Sequence, residues 1–565
     1  MDEQTYISVD PGRSTRVAAL VAVAVITVIY FGFPCHRYFV DGLNDAYRLE
    51  TSQGWAIHPN HPLMPLLPQV LYRWLGGDAS GLSALGVLLV WATFFGVLGC
   101  LGMFMVLRAA RLSIASILVA FGIFAFSAGV WYFNATADQY STPLAVNVFT
   151  LLALVLVMRR PHGASMGQAV GIGILCGIAV LAHQVNGLML IPAGYVVMRG
   201  DGTLRQKMVR LLAMVLMAVL VGGGGTILMG RGLLGLRSVA DFRAWEHSYV
   251  TNEWYWAHGI MDSIRRSWRG AVELHVTHVF DEQGHLMKAN SPTGTPQWYK
   301  WLGLKIGQVA VILFLLVETV RVFVDWARMR SLSSIQTLGL VAWIPGMIFC
   351  SIFTPEWTNY RIFYLPSLLL VLMPAMERHF RLLEPTLRRS WPALLIVPLI
   401  FAANFSAKFY HDSNAANNPY RSEARRLAEM VGPGDLVILS SAPMGYMRSA
   451  YVHYFTRCDI LLVFKLVEEI RSSPEAVIKD LQNRIAAGRT ILAHEDALYS
   501  DIDVELTNRY YGMDIRPDEV ADFFDEYVKP KGYIVINNKA YLVISSPEFD
   551  NVPEEGALRV ARDAD

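Results

Sequence analysis

Long apolar runs are the feature that most constrains how this chain can fold. Stretches of roughly fifteen to twenty-five apolar residues recur over about the first 400 positions, and each can cross a hydrocarbon layer of ~30 Å as a helix. The approximate runs are Val17–Phe33, Leu82–Leu107, Ile114–Trp131, Pro143–Met158, Gly167–Leu181, Val185–Met198, Leu211–Met229, Leu302–Val320, Thr337–Phe353, Ile362–Met376 and Pro392–Asn404. We therefore predict an α-helical, multi-spanning membrane protein with about eleven transmembrane helices.

Composition supports a membrane protein and excludes one class of partner. The chain is 54% hydrophobic and only 17% charged, and its formal net charge is +1. Without a basic field or a Lys/Arg-rich block there is nothing to attract a polyanion, so we expect membrane lipid and no nucleic acid among its partners.

The distribution of basic residues predicts the orientation in the membrane. Lys and Arg accumulate in short cytoplasmic loops, and they recur here in alternate loops if the N-terminus is cytoplasmic. These residues are Arg108, Arg111, Arg159, Arg160, Arg199, Arg205, Lys207, Arg210, Arg321, Arg328, Arg330, Arg378, Arg381, Arg388 and Arg389. The opposite side then carries the polar loops 35–80 and 230–301 and everything after Asn404. We expect a plasma membrane, or inner membrane, of a bacterium.

The tail changes from membrane-like to soluble-like composition. Asp435–Ser441, Asp459–Phe464 and Arg489–Asp496 have the pattern of buried strands, and Pro474–Gly488 that of an amphipathic helix. Tyr533–Ser545 has the pattern of a hairpin. We predict two domains, a transmembrane catalytic domain over 1–407 and an extracytoplasmic α/β domain over 408–565.

The densest group of acid, amide and imidazole side chains follows the first apolar run. The stretch "VDGLNDAYRLETSQGWAIHPNHPLMPLL" contains Asp41 and Asp45, and further on His58 and His61. A carboxylate at a membrane boundary loses solvation, so such acids are either well-solvated loop residues or functional groups.

The spacing in this stretch resembles the first external loop of GT-C glycosyltransferases, which take a sugar from a polyprenyl-phosphate carrier. In these enzymes an acid is followed by a tyrosine two positions on, then a glycine, then a His-Pro pair before an amphipathic helix. The matching residues here are Asp45, Tyr47, Gly54 and His61-Pro62. Within the superfamily the chain resembles the protein O-mannosyltransferase and aminoarabinose transferase-like group.

Three later segments extend the resemblance over the spanning part of the chain. "NATADQYSTPLA" is similar to the second acidic loop of the family and puts Asp138 at its carboxylate position. "HQVNGLMLIPA" has His183 where many members have lysine. "PEWTNYRIFYLPSLLLVL" is similar to a late entry helix, with Tyr360 and Arg361 at the aromatic and arginine positions.

The resemblance implies an activity and assigns a role to each residue. The enzyme would transfer a sugar from a polyprenyl-phosphate carrier to an acceptor hydroxyl on a glycan, lipid or protein, with inversion. Asp45 would be the general base, with Asp41 as the alternative and Asp138 as a second carboxylate. Arg361 would hold the carrier phosphate, assisted by His183 or His61. His58, Tyr47 and Tyr360 complete the predicted substrate-binding set.

Other interpretations of the same residues remain open. Arg361 could be an interfacial arginine, His183 a histidine that satisfies a helix end, and Asp138 the cap of the next helix. His58 and His61, with Asp45 or Asp138, could hold a divalent metal, although two-histidine spacing alone is a weak signal. The alternative functions are a lipid-linked-sugar flippase or transporter, and a non-catalytic scaffold whose external domain binds a partner.

Overall fold

The structure of the protein is a computed structural model. It describes residues 13–51, 54–247, 256–257, 259–277, 298–329, 332–382, 394–441, 443–499 and, with short gaps, 504–545. The chain divides into two compact units. The helical unit comprises the described residues within Met1–Cys35, Ser52–Tyr249 and Ala257–Ser413, and the α/β unit those within His36–Thr51, Val250–Trp256 and Asn414–Asp565. The helix with Asp41 and Asp45 therefore belongs to the α/β unit.

Helices account for most of the described chain. Up to the end of the helical unit they are α1 (Arg13–Gly32), α2 (Val40–Thr51), α3 (Leu63–Trp74), α4 (Ala84–Ala109), α5 (Ile114–Phe126), α6 (Ala128–Ala135), α7 (Ser141–Met158), α8 (Met166–Ala182), α9 (Leu190–Arg199), α10 (Leu204–Leu234), α11 (Val239–His247), α12 (Ile260–His275), α13 (Trp298–Met329), α14 (Ser334–Ile352), α15 (Leu365–Leu382) and Ile396–Asn404. A π-helical turn, Phe405–Phe409, extends the last of these. Short 3-10 helices lie at Gln184–Met189 and Arg361–Phe363.

The apolar helices identify a multi-pass membrane protein. Five helices of the described chain, α4, α7, α10, α14 and Lys305–Arg328 within α13, are long and apolar enough to cross a membrane, and the bent pair of α5 and α6 would make six. The other predicted runs also fall on helix where the structure describes them, but those helices are shorter or less apolar. The total of eleven spans stays a prediction.

Glycines allow the closest helix contact in the helical unit. A Cβ atom added at Gly173 of α8 would lie 2.3 Å from the carbonyl oxygen of Met214, and one added at Gly177 would lie 2.6 Å from the Cβ of Val221. Both partners belong to α10, so only glycine permits this backbone approach.

The predicted span Ile114–Trp131 is not one straight helix. The chain bends by 60° between α5 and α6. Ser127, at the bend, has an extended ψ of 133°, and its hydroxyl donates to the carbonyl of Ile123 at 2.5 Å. The same carbonyl also accepts from the backbone amide of Ser127 at 3.0 Å, so the hydroxyl adds a second bond to it, and such a bond to the carbonyl four residues back often accompanies a helix bend. The bend directs α6 towards the loop that carries Asp138.

The predicted span Val185–Met198 is also interrupted. Its first part is the 3-10 helix Gln184–Met189, and α9 adds only ten residues. Ten α-helical residues cover about 15 Å, which is half of a hydrocarbon layer. Asn186 accounts for part of the break, because its side-chain amide donates to the carbonyls of Pro143 and Ala179 at 3.2 and 3.1 Å.

The α/β unit contains one five-stranded sheet in the order β2-β1-β3-β5-β4. The strands are β1 (Leu436–Leu439), β2 (Asp459–Leu462), β3 (Ile491–His494), β4 (Gly532–Ile536) and β5 (Lys539–Ser545). β1 pairs in parallel with β2 and β3, while β5 is antiparallel to β3 and β4. The three predicted strands and the hairpin are confirmed. The unit's helices are α2, Pro419–Leu427, Pro443–Thr456, Val463–Ser472, Pro474–Ala486, Glu495–Tyr499 and Glu519–Tyr527.

Candidate functional site

The residues singled out from the sequence fall into two groups, one in each unit. The helical unit carries His58, His61, Asp138, His183, Tyr360 and Arg361, and the α/β unit carries Asp41, Asp45 and Tyr47. Each group is described within its own unit.

Gln69 of α3 fixes the loop that leads to the two histidines. Its fully buried side chain accepts from the amide of Ala56 at 2.8 Å and donates to the carbonyl of Gly54 at 2.9 Å. Arg73, one turn further along α3, also donates to the Gly54 carbonyl and lies 4.5 Å from the ring centre of Trp55. One face of α3 therefore sets the course of the chain before His58.

His58 and His61 stack on each other at the start of α3. Their ring centres are 3.9 Å apart and the planes differ by 3°. The Nδ1 atom of His58 accepts from the amide of Asn60 at 3.1 Å. A ring nitrogen that accepts carries no proton, so the neutral form of His58 has its proton on Nε2.

His183 lies between α8 and the 3-10 helix and completes a group of three imidazoles. Its ring centre is 5.6 Å from that of His61. Gln184 joins the two segments, because its amide and side chain donate to the carbonyls of Asn60 and Pro59 at 2.7 and 3.1 Å. These bonds bring together residues that are distant in sequence, since Gln184 and Pro59 are 125 positions apart.

The imidazole of His183 is neutral and has a defined tautomer. Its Nδ1 atom accepts from the amide of Val185 at 3.2 Å and so caps the 3-10 helix. Burial lowers the pKa of His183 to about 3. The Nε2 atom therefore carries the proton and can donate to a phosphate oxygen. His183 therefore does satisfy a helix end, as one interpretation of the sequence suggested, and it does so by accepting from a backbone N–H.

Aromatic rings surround His183 and form a box, defined here as Tyr140, His183, Tyr360 and Phe363. The ring centres of Tyr140, Tyr360 and Phe363 lie 5.8, 5.6 and 5.6 Å from that of His183. The side-chain amide of Asn359 donates to the hydroxyl of Tyr140 at 2.8 Å. Flat rings with polar edges suit both a sugar face and the first part of a prenyl chain.

An apolar cavity adjoins this box. It is small, with a volume of about 20 Å³, and Tyr360 and Phe363 contribute to both the cavity wall and the box. The remaining lining is mainly apolar and comes from the 3-10 helix Gln184–Met189 and from α14, as Val185, Leu188, Met189, Ala342, Gly346 and Cys350 illustrate. Asn147 and the tyrosines are the polar exceptions in this wall.

Asp138 lies in the buried loop between α6 and α7, at 1% exposure. Its Oδ1 atom accepts from the amide of Gln139 at 2.5 Å. The N-cap residue of α7 is Tyr140, and the structure shows no side-chain capping bond there. Asp138 is therefore not the cap of α7. Its loop is held by Tyr140, the same residue that lines the aromatic box.

Arg361 is also buried, at 2% exposure, but its guanidinium turns to the protein itself. One terminal nitrogen donates to the hydroxyl of Tyr364 at 2.8 Å, and the other to the carbonyls of Pro355 and Cys350 at 2.5 and 3.3 Å. It is not an interfacial arginine reaching to water. A phosphate at Arg361 would have to compete with these three bonds.

Asp41 and Asp45 lie one turn apart on α2 in the α/β unit. Asp45 is 5% exposed, and burial raises its pKa to about 7. Arg48 opposes this shift, whereas the neighbouring charge of Asp41 adds to it. Burial raises the pKa of Asp41 to about 6, again opposed by Arg48. A carboxylate with a pKa near neutrality is suited to accept a proton in a reaction at neutral pH.

Comparison with solved structures identifies the architecture. ArnT from Cupriavidus metallidurans superposes with a TM-score of 0.57 in its apo state and 0.55 in a structure bound to undecaprenyl phosphate, at 12% sequence identity. The matches cover 94% of this chain and 99% and 98% of those chains. The oligosaccharyltransferase of Archaeoglobus fulgidus, solved with a tethered acceptor peptide, gives 0.51 at 13% identity, covering 96% of this chain and 75% of that one.

The chain has the GT-C fold. The resemblance inferred from the four sequence segments is thereby confirmed at the level of fold. No protein-family model matches the sequence, and no curated protein matches it.

Several residues of this GT-C fold contribute to the two groups without having been predicted. In the helical unit they are Tyr140, Asn359 and Phe363. In the α/β unit they are Glu50, Tyr454 and Arg457, which contact α2 or lie on it. Tyr140 lies two positions after Asp138 in the sequence, and this proximity to a predicted acid could have identified it as a site residue. Nothing in the sequence linked positions 454 and 457 to α2.

A metal site does not fit the described residues. No group of three or more His, Cys, Asp or Glu side chains in that part of the chain could hold a metal ion. The stacked rings of His58 and His61 lie in parallel planes, so their in-plane lone pairs cannot converge on one ion. The sequence holds another pair of histidines at metal-like spacing, His275 and His278, of which His278 lies outside the described residues.

Proposed function

We propose that this protein is an integral membrane glycosyltransferase that takes a sugar from a polyprenyl-phosphate carrier and transfers it to an acceptor hydroxyl. The GT-C fold supports the class of enzyme, and the ArnT structure with undecaprenyl phosphate supports the class of carrier. The observation that carries the proposal is the buried Asp45, whose pKa is about 7.

Asp45 acts as the general base of a single displacement. Its carboxylate takes the proton of the acceptor hydroxyl while that oxygen attacks the anomeric carbon and forms the new glycosidic bond. The bond from the anomeric carbon to the carrier phosphate breaks, and its electron pair stays on the phosphate oxygen. Displacement from the opposite face inverts the anomeric carbon. Asp41 modulates the ionisation of Asp45, and Asp138 is the second carboxylate that the family resemblance assigns, in the helical unit.

The helical unit binds the donor. The Nε2–H group of His183 donates to the carrier phosphate, with His58 and His61 beside it in the binding set, and the aromatic box offers flat surfaces to the sugar or to the first isoprene units. The wall of the small adjoining cavity is mainly apolar. Arg361 contributes to donor binding indirectly. Its bonds to Tyr364 and Pro355 stabilise the turn that carries Tyr360.

The topology proposed with this function has eleven spans. The runs shorter than the five or six long apolar helices then cross as tilted or broken helices. A cytoplasmic N-terminus and an odd number of spans put the α/β unit on the extracytoplasmic side, where the carrier would present its sugar. The concentration of basic residues in the alternate loops supports this orientation, and a bacterial plasma membrane is the proposed location.

The test uses purified protein in nanodiscs with a panel of undecaprenyl-phosphate sugars and candidate acceptors. Mass spectrometry follows loss of the donor sugar, and a thermal shift follows binding. We expect donor consumption by the wild type and a reaction roughly 10²- to 10⁴-fold slower with Asp45→Asn, which is what loss of a general base typically costs. Asn is nearly isosteric with Asp, so binding of undecaprenyl phosphate by this variant is the control for folding.

Three results would contradict the proposal. Consumption by Asp45→Asn at the wild-type rate would remove Asp45 from the base role. Binding without consumption by any pair of donor and acceptor, together with movement of the labelled lipid across the bilayer, would favour a flippase. Absence of both binding and consumption would favour a scaffold whose α/β unit binds a partner.

A further inference from the structure

The helix that carries the acids, α2, is attached to the α/β unit by specific bonds at its N-terminal side. The hydroxyl of Tyr451 accepts from the amide of Tyr38 at 2.6 Å and donates to the carbonyl of Tyr38 at 3.2 Å. Asn418 donates to the same hydroxyl at 2.8 Å and to the carbonyl of His36 at 2.8 Å. Tyr451 is fully buried. The chain entering α2 is therefore fixed at backbone level.

A second attachment holds the C-terminal half of α2. The carboxylate of Glu50 accepts from the hydroxyl of Tyr454 at 2.8 Å and pairs with Arg457 through its other oxygen. The guanidinium of Arg457 lies 5.0 Å from the ring centre of Tyr47 and 5.4 Å from that of Tyr454. The ring of Tyr47 packs on His453 at 4.0 Å. We call Glu50, Tyr454 and Arg457 the clamp.

The clamp lies on the side of α2 away from the two aspartates. Successive residues of an α-helix are rotated by about 100°, so Asp41 and Asp45 share one face. On the same scale Glu50 is rotated by about 140° from Asp45, and Tyr47 by about 160° in the other direction. The contacts of the clamp on that side restrict rotation of α2 about its axis. This rotation sets the direction of the Asp45 carboxylate.

The backbone at Arg457 indicates that its side chain is used. Arg457 follows the helix Pro443–Thr456 with φ at +62°, in the left-handed region where helices usually end on glycine. A residue with a Cβ atom is less stable than glycine in this conformation. The Arg457 side chain, which offsets this strain, pairs with Glu50 and lies near the rings of Tyr47 and Tyr454.

We propose that the α/β unit positions the general base, and that Glu50, Tyr454 and Arg457 are the positioning residues. This inference rests on the proposed function, because it takes Asp45 as the base. It assigns the appended unit a part in the chemical step, beyond serving as an accessory domain. Misplacing a reacting group by about 1 Å can cost on the order of 10²-fold in rate, so the clamp should act on kcat and not on donor affinity.

The main test is Arg457→Gly, which removes the clamp and relieves the strained backbone in one change. We expect kcat to fall by about 10- to 100-fold, with the KM for the donor within about twofold of wild type. Hydrogen exchange of the amides of α2 should become faster, while the thermal midpoint stays near that of wild type. Arg457→Lys keeps a cation for Glu50 and should recover about tenfold of the lost kcat.

Controls separate the clamp from general stability and from the proposed function. Arg471→Gln removes another ion pair of the α/β unit, with Glu519, and should leave both kcat and exchange of α2 unchanged. Tyr454→Phe keeps the ring and removes only the hydroxyl that donates to Glu50, so it should reproduce part of the Arg457→Gly effect.

The outcomes are distinguishable. Unchanged exchange of α2 in Arg457→Gly overturns the clamp. Faster exchange with unchanged kcat overturns its catalytic role. A wild-type protein that consumes no donor overturns the proposed function and the catalytic role together, while hydrogen exchange still decides whether the clamp holds α2.

Discussion

The charges beside Asp45 should move the pH dependence of the reaction in opposite directions. Asp41 raises the pKa of Asp45, and Arg48 lowers it. All three lie on one face of α2, one turn or two apart. Asp41→Asn should therefore lower the pKa of Asp45 from about 7 towards 6, and Arg48→Gln should raise it towards 8.

The magnitude follows from helix geometry. Side chains three or four positions apart have Cβ atoms about 5–6 Å apart. Two unit charges ~6 Å apart interact by about 3 kcal/mol at an effective dielectric constant of ~20, which corresponds to about two pKa units at ~1.4 kcal/mol per unit. Asp41 and Arg48 are half-buried, so water weakens the interaction and we expect about one unit for each variant.

The assay is the pH profile of kcat/KM for donor consumption, whose acid limb reports the base of the free enzyme. The base is active when ionised, so activity should rise with pH through about 7 in the wild type. The half-maximal pH should move down in Asp41→Asn and up in Arg48→Gln. A wild-type profile that is flat from about pH 6 to 8 would refute the reasoning, and so would two variants that move the limb in the same direction.

Three further predictions follow. Burial raises the pKa of Asp45 from 3.8 to about 7, so Asp45 ionises in the unfolded state at a lower pH than in the folded state, and the folded state loses stability as the pH rises from about 4 to 7. Asp45→Asn should therefore raise the free energy of unfolding at pH 8, by at most about 4 kcal/mol, and change it little at pH 4. Thermal unfolding at both pH values measures this difference. His183→Asn keeps an acceptor for the amide of Val185 but removes the ring, so it should retain the thermal midpoint and weaken binding of undecaprenyl phosphate by about 5- to 20-fold in a titration; unchanged affinity would exclude His183 from the donor site. A Cβ atom at Gly270 would lie 2.5 Å from Nε of Arg361, so Gly270→Ala should displace the guanidinium and lower the thermal midpoint by several degrees; full stability would show that the bonds of Arg361 are dispensable.

Much of the fold could be predicted because it depends on patterns that are local in sequence. The apolar runs fall on helices, and β1, β2, β3 and the terminal hairpin lie where alternating or continuous apolar segments indicated them. The breaks were not predicted, because hydropathy does not register one serine hydroxyl or one asparagine amide. Ser127 and Asn186 each donate from the side chain to a carbonyl of a neighbouring helix segment, and both lie within runs that are otherwise mainly apolar.

The candidate site could be predicted only in part, because only some of its contacts follow from sequence spacing. The structure brings His58, His61, His183 and Tyr360 of the helical unit into one cluster, as the family resemblance suggested. The direction of the Arg361 side chain depends on where the carbonyls of Cys350 and Pro355 happen to point, and no sequence spacing encodes that. The attachment of α2 depends on residues about 400 positions away, where only the folded chain shows the contact.

That separation has a consequence for how the protein is made. Glu50 and Tyr454 are 404 positions apart. At synthesis rates of about 5–20 residues per second, α2 leaves the ribosome roughly 20–80 s before its last anchoring residue. Throughout that interval the segment with Asp41 and Asp45 lacks its bonds to Asn418, Tyr451, Tyr454 and Arg457. A chain that is cut short before position 451 would thus contain every predicted donor-binding residue without the bonds that fix α2, so the proposed enzyme would need its last unit before Asp45 could be positioned as the base.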